Sequence, residues 1–150
     1  MLEALQALAF GSVALAAALA WLAIDAVRTD VAAPDRLVTE LRLAQFSALL
    51  LALTAGIYVG FAVANPQVAG TGFDIALAIG FFVAAGLVTT WHPVSALTAL
   101  ALLWSAHGLV DLAHAIDLLP AAVVPAWYPT ACAIYDVGIA GLCYLPLLKR

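Results

Sequence analysis

The chain has 150 residues, of which 67% are hydrophobic and 9% charged, with a formal net charge of −4 and a mean hydropathy of +1.13. Soluble domains are about 45–50% apolar and about 25% charged, so this composition predicts a chain whose solvent is lipid. Its 5 Lys and Arg residues are too few and too scattered to neutralise a run of phosphates, which excludes nucleic acid as a partner and leaves the lipid bilayer.

The expected fold is an all-α integral membrane bundle of about five spans in a single domain, covering approximately 2–27, 41–64, 73–90, 94–118 and 128–148. The first is an Ala/Leu-rich run interrupted only by Glu3, Gln6, Gly11, Ser12 and Asp25, long enough to cross about 30 Å of hydrocarbon. No basic residue precedes Arg28, so the run lacks the positive start of a secretory signal and reads as a retained helix. Its alanines from Ala14 to Ala20 suit close helix packing. The interval from Arg28 to Glu40, RTDVAAPDRLVTE, reads as a loop, with Pro34 as helix breaker and Asp30, Asp35 and Thr39 as candidate caps. Its charges are expected to form a solvated, topology-setting surface. The second span contains Gly56-Ile-Tyr-Val-Gly60, a small-xxx-small spacing that predicts close approach of a neighbouring helix within the chain.

Asn65-Pro66 ends that span, and a loop through Gly70, Gly72 and Asp74 leads to the third. Trp91-His92-Pro93 marks a tight turn at headgroup level, where His92 is expected to be structural. Asp25, Glu40 and Asp74 sit at span ends and read as interface residues. A Pro-rich connection from Pro120 to Pro129 precedes the fifth span, with Trp127 and Tyr128 as expected interfacial anchors. Cys132 and Cys143 lie roughly 16 Å apart along that helix at 1.5 Å per residue, too far to pair with each other. Five spans put the Arg28 to Arg42 interval and Lys149-Arg150 on one side, which predicts an outside N-terminus and a cytoplasmic C-terminus. Four spans would divide the basic clusters between the two sides.

The chemistry concentrates in the fourth span, LALLWSAHGLVDLAHAID from Leu100 to Asp117. At about 100° per residue, His107, Asp111, His114 and Asp117 share one side of a helix with Trp104 and Gly108, while Leu102, Leu109 and Leu112 face elsewhere. A charged side chain near the bilayer centre costs roughly 2.5–3.5 kcal/mol on insertion scales, so a repeated ionisable face implies a partner or a cavity. If the fourth and fifth spans form a hairpin turning near Ala122, Asp136 comes level with Gly108, between His107 and Asp111, and Cys132 comes level with Leu112. The candidate metal ligands are therefore His107, Asp111, His114 and Asp136, with Cys132 and Asp117 as additional members. Imidazole suits zinc, copper, iron and nickel, and a carboxylate adds hard negative charge or orients a ligating His.

The five-residue element His107-x-x-x-Asp111 is similar to the mid-membrane HxxxD of cation diffusion facilitator zinc transporters. That resemblance implies a divalent transition metal. The spacing His107-x6-His114-x2-Asp117 is similar to the quinone and haem region of succinate dehydrogenase membrane anchors, without their neighbouring arginine, and implies haem or quinone binding instead. Without any ligand, the same line of groups has the form of a proton relay, or of buried pairs that fix helix register.

No Gly-x-Ser-x-Gly, phosphate loop or His-Glu-x-x-His is present, so soluble-enzyme catalysis has little support. A membrane enzyme acting on a lipid or quinone through Asp111 and His107 stays open. The expected function is binding or conduction of a small cation, either a transition metal or a proton, at this His/Asp site in the cell inner membrane. The alternatives are a non-catalytic accessory subunit of a larger respiratory or photosynthetic complex, which would have other membrane subunits or copies of itself as partners, and a haem- or quinone-binding protein.

Overall fold

The computed structural model of the protein describes residues 2–119, 124, 125 and 127–150. Five α-helices follow one another: α1 (Leu2–Arg28), α2 (Asp35–Ala64), α3 (Thr71–Val88), α4 (Pro93–Ala115) and α5 (Tyr128–Tyr144), the last continued by a 3-10 segment, Leu145–Lys149. There is no strand among the described residues. All five helices are long and apolar enough to cross a membrane, α5 together with its 3-10 continuation. In lipid every backbone N–H and C=O must be satisfied within its own segment, and a helix does this without a partner. The predicted hairpin turn at Ala122 and the start of the connection at Pro120 lie outside the described residues.

The element ends follow local chemistry. Pro93 occupies the first position of α4, where the missing N–H costs no hydrogen bond. Gly70 precedes α3 at φ 97°, a left-handed conformation that glycine adopts without a Cβ penalty. The most extensive contacts are between α4 and α5 and between α2 and α3. The main core joins Leu19 and Ala23 of α1, Leu43 and Leu51 of α2, Leu97 and Leu100 of α4 and Ile139 of α5. Trp104 is fully buried in it, and its Nε1 donates to Ser47 Oγ at 2.9 Å. Ser47 Oγ in turn lies 3.0 Å from Cys143 Sγ. Outward-facing Phe10, Val13, Trp21, Leu102 and Leu109 are each more than 60% exposed, which gives the bundle an apolar outer surface.

Several sequence expectations change. The loop after α1 is shorter than predicted, because α2 begins at Asp35 and takes in residues assigned to the loop. Arg36 and Glu40 are accordingly buried, at 3% and 0% exposure, and are not a solvated surface. Arg36 Nε donates to Glu40 Oε1 at 2.7 Å and Nη2 donates to Pro146 O at 2.8 Å. Its Nη1 donates to the carbonyls of Ala26 and Thr29. Arg150 Nη2 lies 2.5 Å from Glu40 Oε2. This knot ties the end of α1 and the start of α2 to the 3-10 segment. A Cβ at Gly56 or Gly60 would meet nothing within 4 Å, so that motif serves no close helix approach within the chain. Tyr128 is not an interfacial anchor: it is 7% exposed and packs edge-to-face on Tyr58 and Phe61.

Replacing Arg36 by Met removes the side chain that joins Ala26, Thr29, Glu40 and Pro146. We expect a loss at the lower end of the roughly 3–5 kcal/mol that follows from breaking a buried ion pair, since Arg150 still faces Glu40. The same change at exposed Arg42 should be silent. Detergent-solubilised protein unfolded with SDS, followed by circular dichroism, measures both.

Candidate functional site

Helix α4 turns its ionisable residues inward. Trp104, His107, Gly108, Asp111 and His114 are all buried, while Leu102, Leu109 and Leu112 are exposed. On α5, Asp136 is fully buried beside Ile139 and Ala140. Gly108 permits the approach of the two helices. A Cβ there would stand 3.2 Å from Asp136 Cβ and 3.4 Å from the Ala133 carbonyl oxygen, tighter than ordinary contact. The missing side chain lets Asp136 lie level with the turn between His107 and Asp111.

These three residues form one cluster. His107 Nδ1 lies 2.7 Å from Asp136 Oδ2 and 3.4 Å from Asp111 Oδ2. Their potential ligand atoms all fall within 4.8 Å of one another. The Tyr58 hydroxyl on α2 donates to Asp111 Oδ1. Around the imidazole, Phe81 packs with ring centroids 4.8 Å apart, and Tyr58 and Trp104 complete an aromatic wall. Two carboxylate oxygens, Asp111 Oδ2 and Asp136 Oδ1, are buried with no hydrogen-bond partner. Buried polar atoms are nearly always paired, so two orphans on adjacent carboxylates require a physical reason.

The other sequence-predicted members are placed differently. His114 lies one turn beyond Asp111, and its Nε2 is 3.4 Å from Asp74 Oδ1 on α3. Asp74 is only 3% exposed and so is not an interface residue. Asp117 leaves the site altogether. Helix α4 ends at Ala115, and Asp117 is exposed, with φ 58°. Its helical offset from His107 therefore has no structural meaning. Cys132 is half-buried and lies one turn from Asp136, outside the three-residue cluster. Both cysteines are free thiols.

The sequence reading missed Tyr58, Asp74 and Phe81. Tyr58 carries the only phenol of α2, but it shares that helix with Gln45, Ser47, Thr54 and several charged residues, so nothing local set it apart. Asp74 is the only charged residue of α3, and a lone charge in an apolar span was the available signal. A small cavity of about 20 Å³ is lined by His107, Asp111, His114, Asp74, Tyr58 and Phe81, among others. A larger cleft of about 290 Å³ lies between α1, α2 and α5, with Asp136, Cys132 and Tyr135 among its lining.

No protein-family model, curated protein or solved structure matches the chain.

Gly108→Val should push α4 and α5 apart at Asp136. The expected loss is about 1–3 kcal/mol from overpacking, whereas Gly56→Ala, with open space at its Cβ, should leave stability unchanged. SDS unfolding midpoints of the two variants decide this.

Proposed function

We propose that the chain is a multi-pass membrane protein that binds a small cation between α4 and α5, with His107, Asp111 and Asp136 as its ligands. The observation that carries this reading is the pair of orphan oxygens, Asp111 Oδ2 and Asp136 Oδ1, beside one imidazole. Leaving a buried polar group unpaired costs about 1–3 kcal/mol, and more when it is charged. A cation shared among the three side chains removes that cost. The donor set of one nitrogen and carboxylate oxygens suits a divalent transition metal.

A second reading has its own observation. The 2.7 Å separation of His107 Nδ1 from Asp136 Oδ2 is a hydrogen-bond length, so the bound cation in that case is a proton shared by imidazole and carboxylates. Haem has less support, because the cavity at the imidazole, at about 20 Å³, holds little more than one water.

The orientation we propose has the N-terminus outside and the C-terminus in the cytoplasm, in a cell inner membrane. The knot of Arg36, Glu40 and Arg150 holds both basic clusters at one end of the bundle, and basic loop residues favour the cytoplasmic face.

Titration of the purified, chelator-treated protein with Co²⁺, followed by its visible absorption and by calorimetry, tests the ligand set. We expect one equivalent per chain and an affinity that falls by about tenfold or more in Asp111→Asn and Asp136→Asn, since each removes an anionic ligand. A wild-type protein that takes up no Co²⁺, but shows a carboxyl infrared band that disappears in Asp136→Asn, assigns the site to a proton. A protein with neither response refutes the cation reading.

A further inference from the structure

The small cavity does not belong to the inner cluster alone. Its wall contains His107 and Asp111 at one end and His114 and Asp74 at the other. His107, Asp111 and His114 are spaced by four and three residues, so they form a ladder on one face of α4. The rise from Asp111 to His114 is about 4.5 Å, and from His107 to His114 about 10.5 Å. Asp74 and His114 are 3% and 6% exposed, and they come from the first turn of α3 and the last turn of α4. They therefore stand between the inner cluster and the end of the bundle where α2 joins α3. Asp111 faces the cavity as well, with an oxygen that has no hydrogen-bond partner.

The other approaches are of different character. Beyond His107 toward the opposite end, the inward face of α4 continues as Trp104, Leu100 and Leu97, all 0% exposed. The polar atoms there, Trp104 Nε1, Ser47 Oγ and Cys143 Sγ, are hydrogen-bonded to one another. The cleft that reaches Asp136 is walled chiefly by apolar residues such as Leu8, Val13, Leu50, Leu53 and Ile57. Its polar groups on Ser12, Thr54, Tyr128, Cys132 and Tyr135 are neutral hydroxyls and a thiol, so a cation there meets no charged or imidazole ligand before Asp136. Among the described residues, only the Asp74 and His114 side offers a carboxylate and an imidazole next to the inner ligands.

We infer that Asp74 and His114 form a second cation station, through which the inner site loads and unloads from the α2–α3 end of the bundle alone. The inference rests on the cation reading above and adds a route to it. The cation passes from the Asp74 carboxylate and His114 imidazole to Asp111, and then to the shared position among Asp111, His107 and Asp136. No bond is made or broken except coordination. Because the station is not occupied in the final bound state, detailed balance requires that its loss slow entry and exit by the same factor.

Stopped-flow mixing of the detergent-solubilised protein with Co²⁺ separates this route from the inner site. In Asp74→Asn and, independently, in His114→Gln, we expect association and dissociation both to slow by about tenfold or more, as for loss of a steering charge. The equilibrium affinity should stay at the wild-type value. Rates that match wild type in both variants overturn the station. An affinity that collapses in both makes Asp74 and His114 ligands of the inner site, and also overturns it. A wild-type protein that binds no Co²⁺ removes the metal ligand reading first, and this route with it.

Discussion

Two carboxylates and one imidazole are held together in the buried interior, and much of the bundle's interior is arranged around that fact. Asp111 and Asp136 are 1% and 0% exposed, and an isolated carboxylate in such surroundings is costly unless it is paired. His107 meets both, and the Tyr58 hydroxyl meets Asp111 on its other oxygen. The chain makes room for this with an absence, since Gly108 has no side chain to keep Asp136 away. It then closes the surroundings with rings, as Phe81, Tyr58 and Trp104 pack around the imidazole. Low local dielectric strengthens every interaction among the three groups and raises the cost of each bond left unmade.

The molecule contains a second buried ionic knot, and the two differ in how fully their polar atoms are paired. Arg36 places its donors on Glu40, Pro146, Thr29 and Ala26, and Glu40 has a partner on each oxygen. Neither residue has a buried unpaired atom. Such a satisfied network fixes the register of three segments and asks for nothing further. The cluster on α4 and α5 differs in just this respect, since each of its carboxylates keeps one oxygen without a hydrogen bond. That deficit is what supports the proposed cation site, and the satisfied knot has no counterpart to it.

The apolar runs made five helices legible, because a lipid solvent imposes length and composition together. The inward face of α4 was legible as well: at 3.6 residues per turn, His107, Gly108 and Asp111 could only share a side. Asp136 could be set level with Gly108 by counting outward from a hairpin turn. What failed was reasoning about ends. Asp117 was placed on the helix face by its spacing, yet α4 stops at Ala115, and beyond a helix end the angular rule has no force. Arg36, Glu40 and Asp74 looked like solvent-facing charges because they lie near span boundaries. All three are buried through contacts with residues distant in sequence, and no local pattern reports those. Tyr58 was silent for the same reason, since its partner Asp111 lies 53 positions away.

The remaining question is what distinguishes a metal from a proton at such a site, and the distances bear on it unequally. A proton shared between imidazole and carboxylate needs only one short contact, which His107 and Asp136 already make at 2.7 Å. A metal ion draws its nitrogen and oxygen donors to about 2.0–2.2 Å, which sets neighbouring donors roughly 3.0–3.5 Å apart in octahedral or tetrahedral coordination. Of the separations from His107 Nδ1, 3.4 Å to Asp111 lies within that spacing and 2.7 Å to Asp136 falls short of it. Asp111 is then the residue on which the two readings part. For a proton it is a charge at one remove, tuning the His107 and Asp136 pair through space. For a metal it is a ligand, through a carboxylate already tied to Tyr58. The hydrogen bond from Tyr58 occupies Asp111 Oδ1 and leaves Oδ2 on the side of the imidazole, 3.4 Å from its Nδ1. On the metal reading proposed above, the phenol on α2 is a residue one step outside the ligands that orients a carboxylate, and on the proton reading the same bond leaves Asp111 as a neighbouring charge.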